Sequence, residues 1–296
     1  MGDSFVNITV FTATYNRGYI LPKLYQSLKR QTYRSFEWII IDDGSTDNTE
    51  ILVSKWKNAG NFFDIRYIKT INGGKHRAIN KGVKLARGIL FFIVDSDDYL
   101  TDNALERISY WENTINSKSS FAGICGNKMY FNGELMGKTF CGQTIDCKMH
   151  ERKKYGIVGE KAEVFYVHIL KKYPFPEFEN ENFLSEAVVW NRISVDGYKL
   201  RFFNESIYFS EYRDDGLTCN IKEKMKKNIN GTLLFFKEMF FLQNNTLDRF
   251  RIGSLYIYYG LKNGMNFKEI RTNLNISKIM LFLLIIAYFG RLIQRK

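Results

Sequence analysis

Short apolar runs alternate with amphipathic stretches along the first hundred residues of the chain. Four runs rich in β-branched and aromatic residues predict strands at 8–13, 38–41, 65–68 and 89–94. Helical spacing follows the first of them, where Ile20, Leu24 and Leu28 recur at every fourth position. Repeated strand–helix alternation predicts right-handed crossovers and an α/β fold, with a mostly parallel sheet and helices on both faces.

Polar residues follow three of these strands at the point where each strand ends. The clusters are Thr14-Tyr15-Asn16, Asp42-Asp43 and Asp95-Ser96-Asp97-Asp98. Because the carboxyl ends of parallel strands share one edge of a sheet, we expect the three clusters to converge on one crevice. The sequence therefore predicts a ligand site at that edge.

The third cluster carries three carboxylates within four residues, directly after an apolar strand. Like charges in such surroundings repel one another and lose hydration, and Mg²⁺ or Mn²⁺ would offset both costs. The alternative is an acidic turn that leads into the next helix, with Thr101 or Asp102 as its N-cap.

The net charge of +12 is concentrated in one part of the 296-residue chain. Residues 219–296 hold fourteen Lys or Arg against four Asp or Glu, which accounts for ten of these charges. Such a segment favours an anionic surface. Since no nucleic-acid motif accompanies it, we expect a membrane surface as the partner and no nucleic acid.

The apolar run 279–289 has eleven residues, fewer than the about 20 that a membrane span needs. It favours an interfacial helix; a buried helix or a contact in a homo-oligomer is the alternative.

Four cysteines without zinc-site spacing predict free thiols in a reducing compartment, and the polar residues 1–7 predict no signal peptide. We therefore expect a cytoplasmic protein, peripheral on the inner face of the cell membrane.

Four motifs occur together in a fixed order: FTATYN at 11–16, IDDGSTD at 41–47, GGKHRAINKG at 73–82 and VDSDD at 94–98. GxGxxG is missing after the first strand, and so is the P-loop pattern, which argues against those two nucleotide-binding classes. With the four motifs, residues 5–215 resemble the family-2 glycosyltransferases, whose fold is the Rossmann-like GT-A type. The resemblance implies a domain at 1–218, with a nucleotide-sugar half at 1–100 and an acceptor half at 101–218. A basic, aromatic-rich helical region at 219–296 follows.

The resemblance also implies an activity. Members of the family transfer a sugar from a nucleotide diphosphate, usually with inversion and with Mn²⁺ or Mg²⁺ as cofactor. We expect a UDP-sugar donor and a saccharide or lipid-linked acceptor in the synthesis of cell-surface polysaccharide or glycoconjugate.

For the donor, the resemblance places the base at Thr12, Ala13 and Tyr15, with the Tyr15 ring stacked on it or meeting its edge. Asp43 would accept from the uracil N3–H, or its equivalent in another base, with support from Asp42. From the residues alone, Tyr15 is also open to a place in the core, and the DDGS segment to an Asx-type turn.

The remaining donor residues follow from the later motifs. Lys75 stands at a helix start after two glycines, where backbone N–H groups favour a phosphate, and Asn80 is a secondary candidate. The resemblance assigns Asp95 to the ribose or the sugar and Asp97 to the metal, and it places Ser96 among the donor-binding residues. Arg213 would meet the diphosphate from a loop that closes over the donor.

An inverting displacement needs a base on the acceptor hydroxyl, opposite the leaving diphosphate. In the family an acid just before a helix does this, usually within a Glu-Asp pair; here Glu186 fills the first position and Ala187 the second. We predict Glu186 as the base, with Glu179 and Glu181 as reserves. The alternative is that Glu186 only favours a helix N-terminus.

Two other functions are considered. A non-catalytic nucleotide-binding scaffold at the membrane stays open because of Ala187. A sugar-phosphate nucleotidylyltransferase would need a glycine-rich N-terminal signature with Arg, which this sequence lacks.

Overall fold

The computed structural model describes residues 6–213, 216 and 219–293, with side chains up to residue 289. Its contacts divide the chain into two compact units, the first made of Met1–Phe175 and Val189–Asp215 and the second of Pro176–Val188 and Gly216–Lys296. The predicted domain 1–218 thus differs from the first unit by residues 176–188 and 216–218. Hydrogen bonds explain this grouping, because the Glu181 carboxylate accepts from the backbone N–H groups of Asn230 and Gly231 at 2.7 and 2.9 Å.

Nine strands within the described residues form one mixed sheet in the first unit, in the order β3-β2-β1-β4-β8-β6-β9-β5, with β7 beside β9. The strands are β1 (Ile8–Thr14), β2 (Phe36–Asp42), β3 (Asp64–Lys69), β4 (Leu90–Ile93), β5 (Tyr99–Leu100), β6 (Phe121–Met129), β7 (Thr144–Cys147), β8 (Lys161–Tyr166) and β9 (Lys199–Phe209).

The first four strands are parallel, which confirms the predicted α/β class. In their register Thr14 lies opposite Asp42, Asp42 opposite Lys69, and Phe11 opposite Ile93. The carboxyl ends of these strands therefore meet at one edge of the sheet. Beyond β4 the sheet is mixed: β6 and β9 are parallel, whereas β8 runs antiparallel to both β4 and β6.

Helices connect the strands of the first unit. They are α1 (Leu21–Lys29), α2 (Thr49–Lys57), α3 (Lys75–Leu85), α4 (Ala104–Asn113), α5 (Val167–Lys172) and α6 (Ala187–Val195), the last of which begins in the second unit. Two 3₁₀ helices cover Lys118–Ser120 and Met149–Tyr155. The core includes β1, β2 and β4, which are buried almost throughout, and the predicted face of α1.

The predicted alternative for the acidic cluster, an N-cap at Thr101 or Asp102, is wrong. Helix α4 has Asn103 at its N-cap position, and no side-chain cap bond is made there within the described chain. Asp102 instead accepts from Arg30 Nε at 2.8 Å on the surface.

The second unit is helical, as predicted for the C-terminal region. Its helices are α7 (Ile221–Lys227), α8 (Ile229–Leu242), α9 (Thr246–Lys262), α10 (Phe267–Asn273) and α11 (Lys278–Ile293). Its core includes Phe240, Ile257 and Leu284. Helices α9 and α11 approach closely at Gly253, where an added Cβ would lie 2.7 Å from Leu284 Cδ2.

Candidate active site

The loops that follow β1 and β2 are joined by hydrogen bonds at the carboxyl edge of the sheet. Asn16 adopts a left-handed backbone conformation with φ of 53°. Its Oδ1 accepts from the backbone N–H of Thr46 at 2.8 Å, and its own N–H donates to Ser45 Oγ at 2.8 Å. The Gly18 N–H donates to Asp47 Oδ2 at 2.9 Å. The two loops therefore form one rigid rim.

Asp42 supports this rim from inside the protein. It is fully buried, its Oδ1 accepts from the Ser45 N–H at 2.7 Å, and its Oδ2 accepts from the Tyr67 hydroxyl. The bond from the Ser45 N–H closes the DDGS segment into a turn through an aspartate side chain, close to the Asx-type turn that the sequence left open.

Asp43 joins the rim to the next loop. Its two carboxylate oxygens accept from the N–H groups of Gly73 and Gly74, both at 2.8 Å. Burial raises the pKa of Asp43, and the two glycine hydrogen bonds offset only part of that effect. The N–H groups that the sequence suggested for a phosphate are thus held by Asp43, because a buried carboxylate needs donors of its own.

Lys75 ties the same loop to the end of β4. Its Nζ forms an ion pair with Asp95 Oδ1. Burial alone would raise the pKa of Asp95, but the positive charges of Lys75 and Lys128 outweigh it and lower the pKa. Since residues 73–75 contact both Asp43 and Asp95, the structure brings the second and third predicted clusters together, as the convergence argument requires.

Two residues of this edge, Tyr208 and Lys128, escaped the sequence analysis. The buried Tyr208 hydroxyl accepts from the Asp95 N–H at 2.8 Å and bonds to the Asp98 carboxyl group. Lys128 is also buried, and its Nζ lies 4.2 Å from the centre of the Tyr208 ring. A lysine near the end of the apolar strand FAGICGNKM was the available signal, because such a charge needs buried partners.

Three carboxyl groups, those of Asp95, Asp97 and Asp98, influence one another at this edge. Burial raises the pKa of Asp98 to about 7, with Lys128 acting against the shift and the charges of Asp95 and Asp97 adding to it. Burial also raises the pKa of Asp97, Asp95 raises it further, and Arg17 and Lys75 lower it. The ionised form of Asp97 is therefore held in surroundings that disfavour a negative charge.

These surroundings suit a divalent cation that is shared with a ligand. Within the described residues no three His, Cys, Asp or Glu side chains are placed to hold a metal by themselves. Asp95 is paired with Lys75, and Asp98 with Tyr208 and Lys128, which leaves Asp97 as the predicted ligand. Mg²⁺ is commonly held by one or two carboxylates together with substrate phosphates, so the residues present fit such a site.

Several residues predicted to bind the donor differ in their accessibility. Tyr15 is 49% exposed, so its ring lies at the surface of the rim and not in the core. Ala13 is half-buried, whereas Thr12 and Ser96 are buried, and Thr12 Oγ1 accepts from the Trp38 indole at 3.0 Å. The roles of these residues in donor binding stay predictions, with Tyr15 the best placed.

A cationic group that includes the predicted Arg213 lies beside the first loop. The Tyr19 hydroxyl accepts from Arg17 at 2.6 Å and from Arg213 at 3.4 Å. Arg17 also lies near enough to Asp97 to lower its pKa. The structure therefore brings Arg213 to the end of β1, where two guanidinium groups share one tyrosine. Arg17 and Tyr19 were missed because nothing in a GT-A motif singled them out.

The remaining predicted residues are Asn80, Glu186 and the two reserves for the base. Both ends of the Asn80 amide bond to the Phe175 backbone at 2.8 and 2.9 Å, so Asn80 holds that segment, and its role at the diphosphate stays a prediction. Glu186 is half-buried and directly precedes α6, as predicted, and it belongs to the second unit. Of the reserves, Glu179 is exposed, and Glu181 is committed to the backbone at the start of α8.

Comparison with known sequences finds a matching family model and similar glycosyltransferases. Residues 9–111 match the model described as Glycosyl transferase family 2. The chain is 25% identical over 222 residues to the glycosyltransferase GlyG of Streptococcus pneumoniae, a match that covers 71% of this chain and 72% of that protein. It is 27% identical over 214 residues to the GalNAc(5)-diNAcBac-PP-undecaprenol beta-1,3-glucosyltransferase of Campylobacter jejuni, covering 70% of this chain and 64% of the relative.

Comparison with solved structures supports the same fold. Residues 1–349 of S. aureus TarS, solved in complex with UDP-GlcNAc, give a TM-score of 0.60 at 19% identity, covering 95% of this chain and 79% of that one. The mannosyltransferase PcManGT of Pyrobaculum calidifontis, solved with GDP-Man and Mn²⁺, gives a TM-score of 0.56 at 15% identity, with 99% and 89% of the two chains covered. At these identities the likeness shows a shared GT-A-like fold.

Proposed function

We propose that this chain, whose residues 9–111 match the model of glycosyl transferase family 2, is an inverting, metal-dependent enzyme that transfers a sugar from UDP to a saccharide or lipid-linked acceptor. The observation that carries the proposal is the single edge at which Asp43, Lys75, Asp95 and Asp97 converge. A nucleotide-sugar needs a face for the base, carboxylates for polar hydrogens and positive charge for the diphosphate, and this edge supplies all three.

The base binds against the exposed ring of Tyr15, which offers a flat apolar face with a polar tip. Asp43 accepts from the base N3–H through lone pairs that remain beside its two glycine contacts. Arg213 and Arg17 contribute positive charge for the diphosphate, and Lys75 and Asp95 lie between the diphosphate and the sugar. UDP is the preferred donor because a TarS structure of the same fold contains UDP-GlcNAc.

Asp97 would hold the Mn²⁺ or Mg²⁺ ion, which supplies neutralisation of the negative charge that develops on the leaving diphosphate. The structural support is the raised pKa of Asp97, because a neighbouring cation would favour its ionised form. Arg17, which lowers the same pKa, has a related effect through its own charge.

Glu186 is the proposed general base. It takes the proton of the acceptor hydroxyl while that oxygen forms a bond to the anomeric carbon, and the bond from that carbon to the diphosphate oxygen breaks. Attack from the side opposite the diphosphate inverts the configuration of that carbon. The position of Glu186 directly before α6 is the support for this role.

The acceptor belongs to a cell-surface polysaccharide or glycoconjugate in this proposal. One relative is named for glucosyl transfer to an undecaprenol-diphosphate-linked saccharide, which favours a lipid-linked acceptor. We propose a cytoplasmic location on the inner face of the cell membrane. The four free thiols, two of them exposed, support a reducing compartment.

The test combines binding with turnover. UDP-, GDP- and dTDP-sugars with Mn²⁺ are screened by thermal shift, since a ligand that binds the folded state raises the melting temperature. Release of the nucleoside diphosphate is then measured with an oligosaccharide or polyprenyl-linked acceptor. The variants are Asp97→Ala and Glu186→Gln, with Asp102→Ala as the matched control for loss of an exposed acid.

We expect one UDP-sugar to raise the melting temperature and to be turned over, with both site variants at least about a hundredfold slower and the control unchanged. Equal turnover by Asp97→Ala would contradict the metal site. A thermal shift without turnover on any acceptor would favour the non-catalytic scaffold.

A further inference from the structure

Helix α11 presents two apolar faces, and only one of them is packed within the second unit. Leu284 is fully buried, and Met280, Leu281, Ile285 and Tyr288 pack against the same core. This face rests on α9 at Gly253. Packing within the second unit therefore uses only this face of α11.

The opposite face is a continuous exposed apolar strip. It consists of Ile279, Phe282, Leu283, Ile286 and Phe289, which are 43–74% exposed. At about 100° per residue these five positions fall within an arc of about 120° on one side of the helix. Scattered single apolar residues on a surface are ordinary, but a strip of five large side chains along one helix is typical of a binding surface.

The charge of the surrounding unit indicates the kind of partner. Lys278 precedes the strip, the sequence continues with Arg291, Arg295 and Lys296, and residues 219–296 carry a net charge of +10. An apolar strip with basic residues at its ends matches a membrane interface with anionic headgroups. Two copies of this unit packed strip to strip would instead bring two charges of +10 together, which disfavours self-association through this face.

The length of α11 indicates how it meets the bilayer. Its 16 residues span about 24 Å, less than the about 30 Å of the hydrocarbon core. Within the described part of the chain no single helix meets the length and hydropathy limits for crossing a membrane, although Phe267–Asn273 and Lys278–Phe289 meet them together as a pair bent by 112°. We infer that the exposed strip of α11 docks the protein on an anionic lipid surface, with the helix lying in the plane of the interface.

The experiment uses the full-length protein and sedimentation with vesicles, without donor or acceptor, so its outcome is independent of the proposed catalysis. One set of vesicles is pure phosphatidylcholine, and the other contains about 30% phosphatidylglycerol. The test variant is Phe282→Asp combined with Ile286→Asp. The control is Ile51→Asp, whose side chain on α2 is 62% exposed against 63% for Phe282. Circular dichroism melting checks that each variant is folded.

We expect wild type and Ile51→Asp to bind the anionic vesicles, with the double variant binding at least about tenfold more weakly. Binding should also weaken in high salt and on phosphatidylcholine alone. A second variant, Lys278→Glu, should weaken binding to anionic vesicles only.

Unchanged binding by a folded double variant would overturn the inference. The inference would also be overturned if wild-type protein did not bind vesicles but was dimeric, and the double variant was monomeric. Light scattering after size-exclusion chromatography measures this.

Discussion

Replacing Tyr208 with phenylalanine should loosen the acidic edge without disturbing the packing around it. The ring would keep its place 6.1 Å from the Phe92 ring and under the Lys128 ammonium group. Only the hydroxyl oxygen is lost, and that oxygen accepts from the Asp95 N–H at 2.8 Å and bonds to the Asp98 carboxyl group.

The expected loss of stability follows from the two groups that would lose their hydrogen-bond partner, the Asp95 N–H and the Asp98 carboxyl group. Leaving one buried polar group unsatisfied costs about 1–3 kcal/mol. Asp98 keeps Lys128 as a neighbour, so its share falls at the low end of that range. We therefore expect the free energy of unfolding to fall by about 2–4 kcal/mol. A shifted Asp95 would also move Lys75, and kcat/KM should fall by about ten- to a hundredfold.

Urea denaturation and donor-dependent kinetics measure the two effects. Tyr173→Phe is the matched control, because it removes a hydroxyl that donates to Asp196 at 2.6 Å at the surface, and it should cost less than about 1 kcal/mol. If Tyr208→Phe stayed within about 0.5 kcal/mol of wild type with unaltered kinetics, then Tyr208 would not organise this edge.

The remaining predictions concern the ligand, the core and pH. Tyr15→Ala should raise the donor KM about tenfold at nearly constant kcat, since an exposed stacking ring contributes mainly to binding; unchanged donor KM in initial-rate assays would be the contrary result. Glu37→Ala should lower the unfolding free energy by about 3–5 kcal/mol in urea titrations, because the buried Glu37 carboxylate accepts from Thr9, Arg66 and Arg87; a loss below about 1 kcal/mol would refute it. Partial desolvation of the exposed His150 ring lowers its pKa below 6.5, and the folded protein therefore binds slightly fewer protons than the unfolded chain near that pH. Stability present above about pH 6.5 should fall as the pH drops toward that lowered pKa, and His150→Gln should flatten the dependence; identical slopes for both proteins would disprove this.

The edge of the sheet could be predicted from the sequence because it depends on a rule of chain geometry. Parallel strands end at one edge, so Asp43 and Asp95 had to approach one another once β1, β2 and β4 were identified. A side-chain turn in the DDGS segment was predictable in the same way, because aspartates in turns bond to the backbone of their own loop, as Asp42 does to the Ser45 N–H.

Hydrogen bonds between residues that are far apart in the sequence could not be predicted. Tyr208 lies 113 residues from Asp95, and its pairing depends on how β9 enters the sheet. The two oxygens of Asp43 meet backbone N–H groups, which every residue carries, so no side-chain pattern marks them. The grouping of residues 176–188 with the C-terminal helices likewise depends on the hydrogen bond that the Glu181 carboxylate accepts from the backbone at the start of α8.

A crystal structure of the protein with UDP and Mn²⁺ tests the proposed donor site most directly. We predict the base against Tyr15 and within hydrogen-bond distance of Asp43, with Asp97 among the ligands of the metal ion. Nucleotide bound at any other surface, or a diphosphate without contact to the edge formed by residues 73–75 and 95–97, would contradict the account.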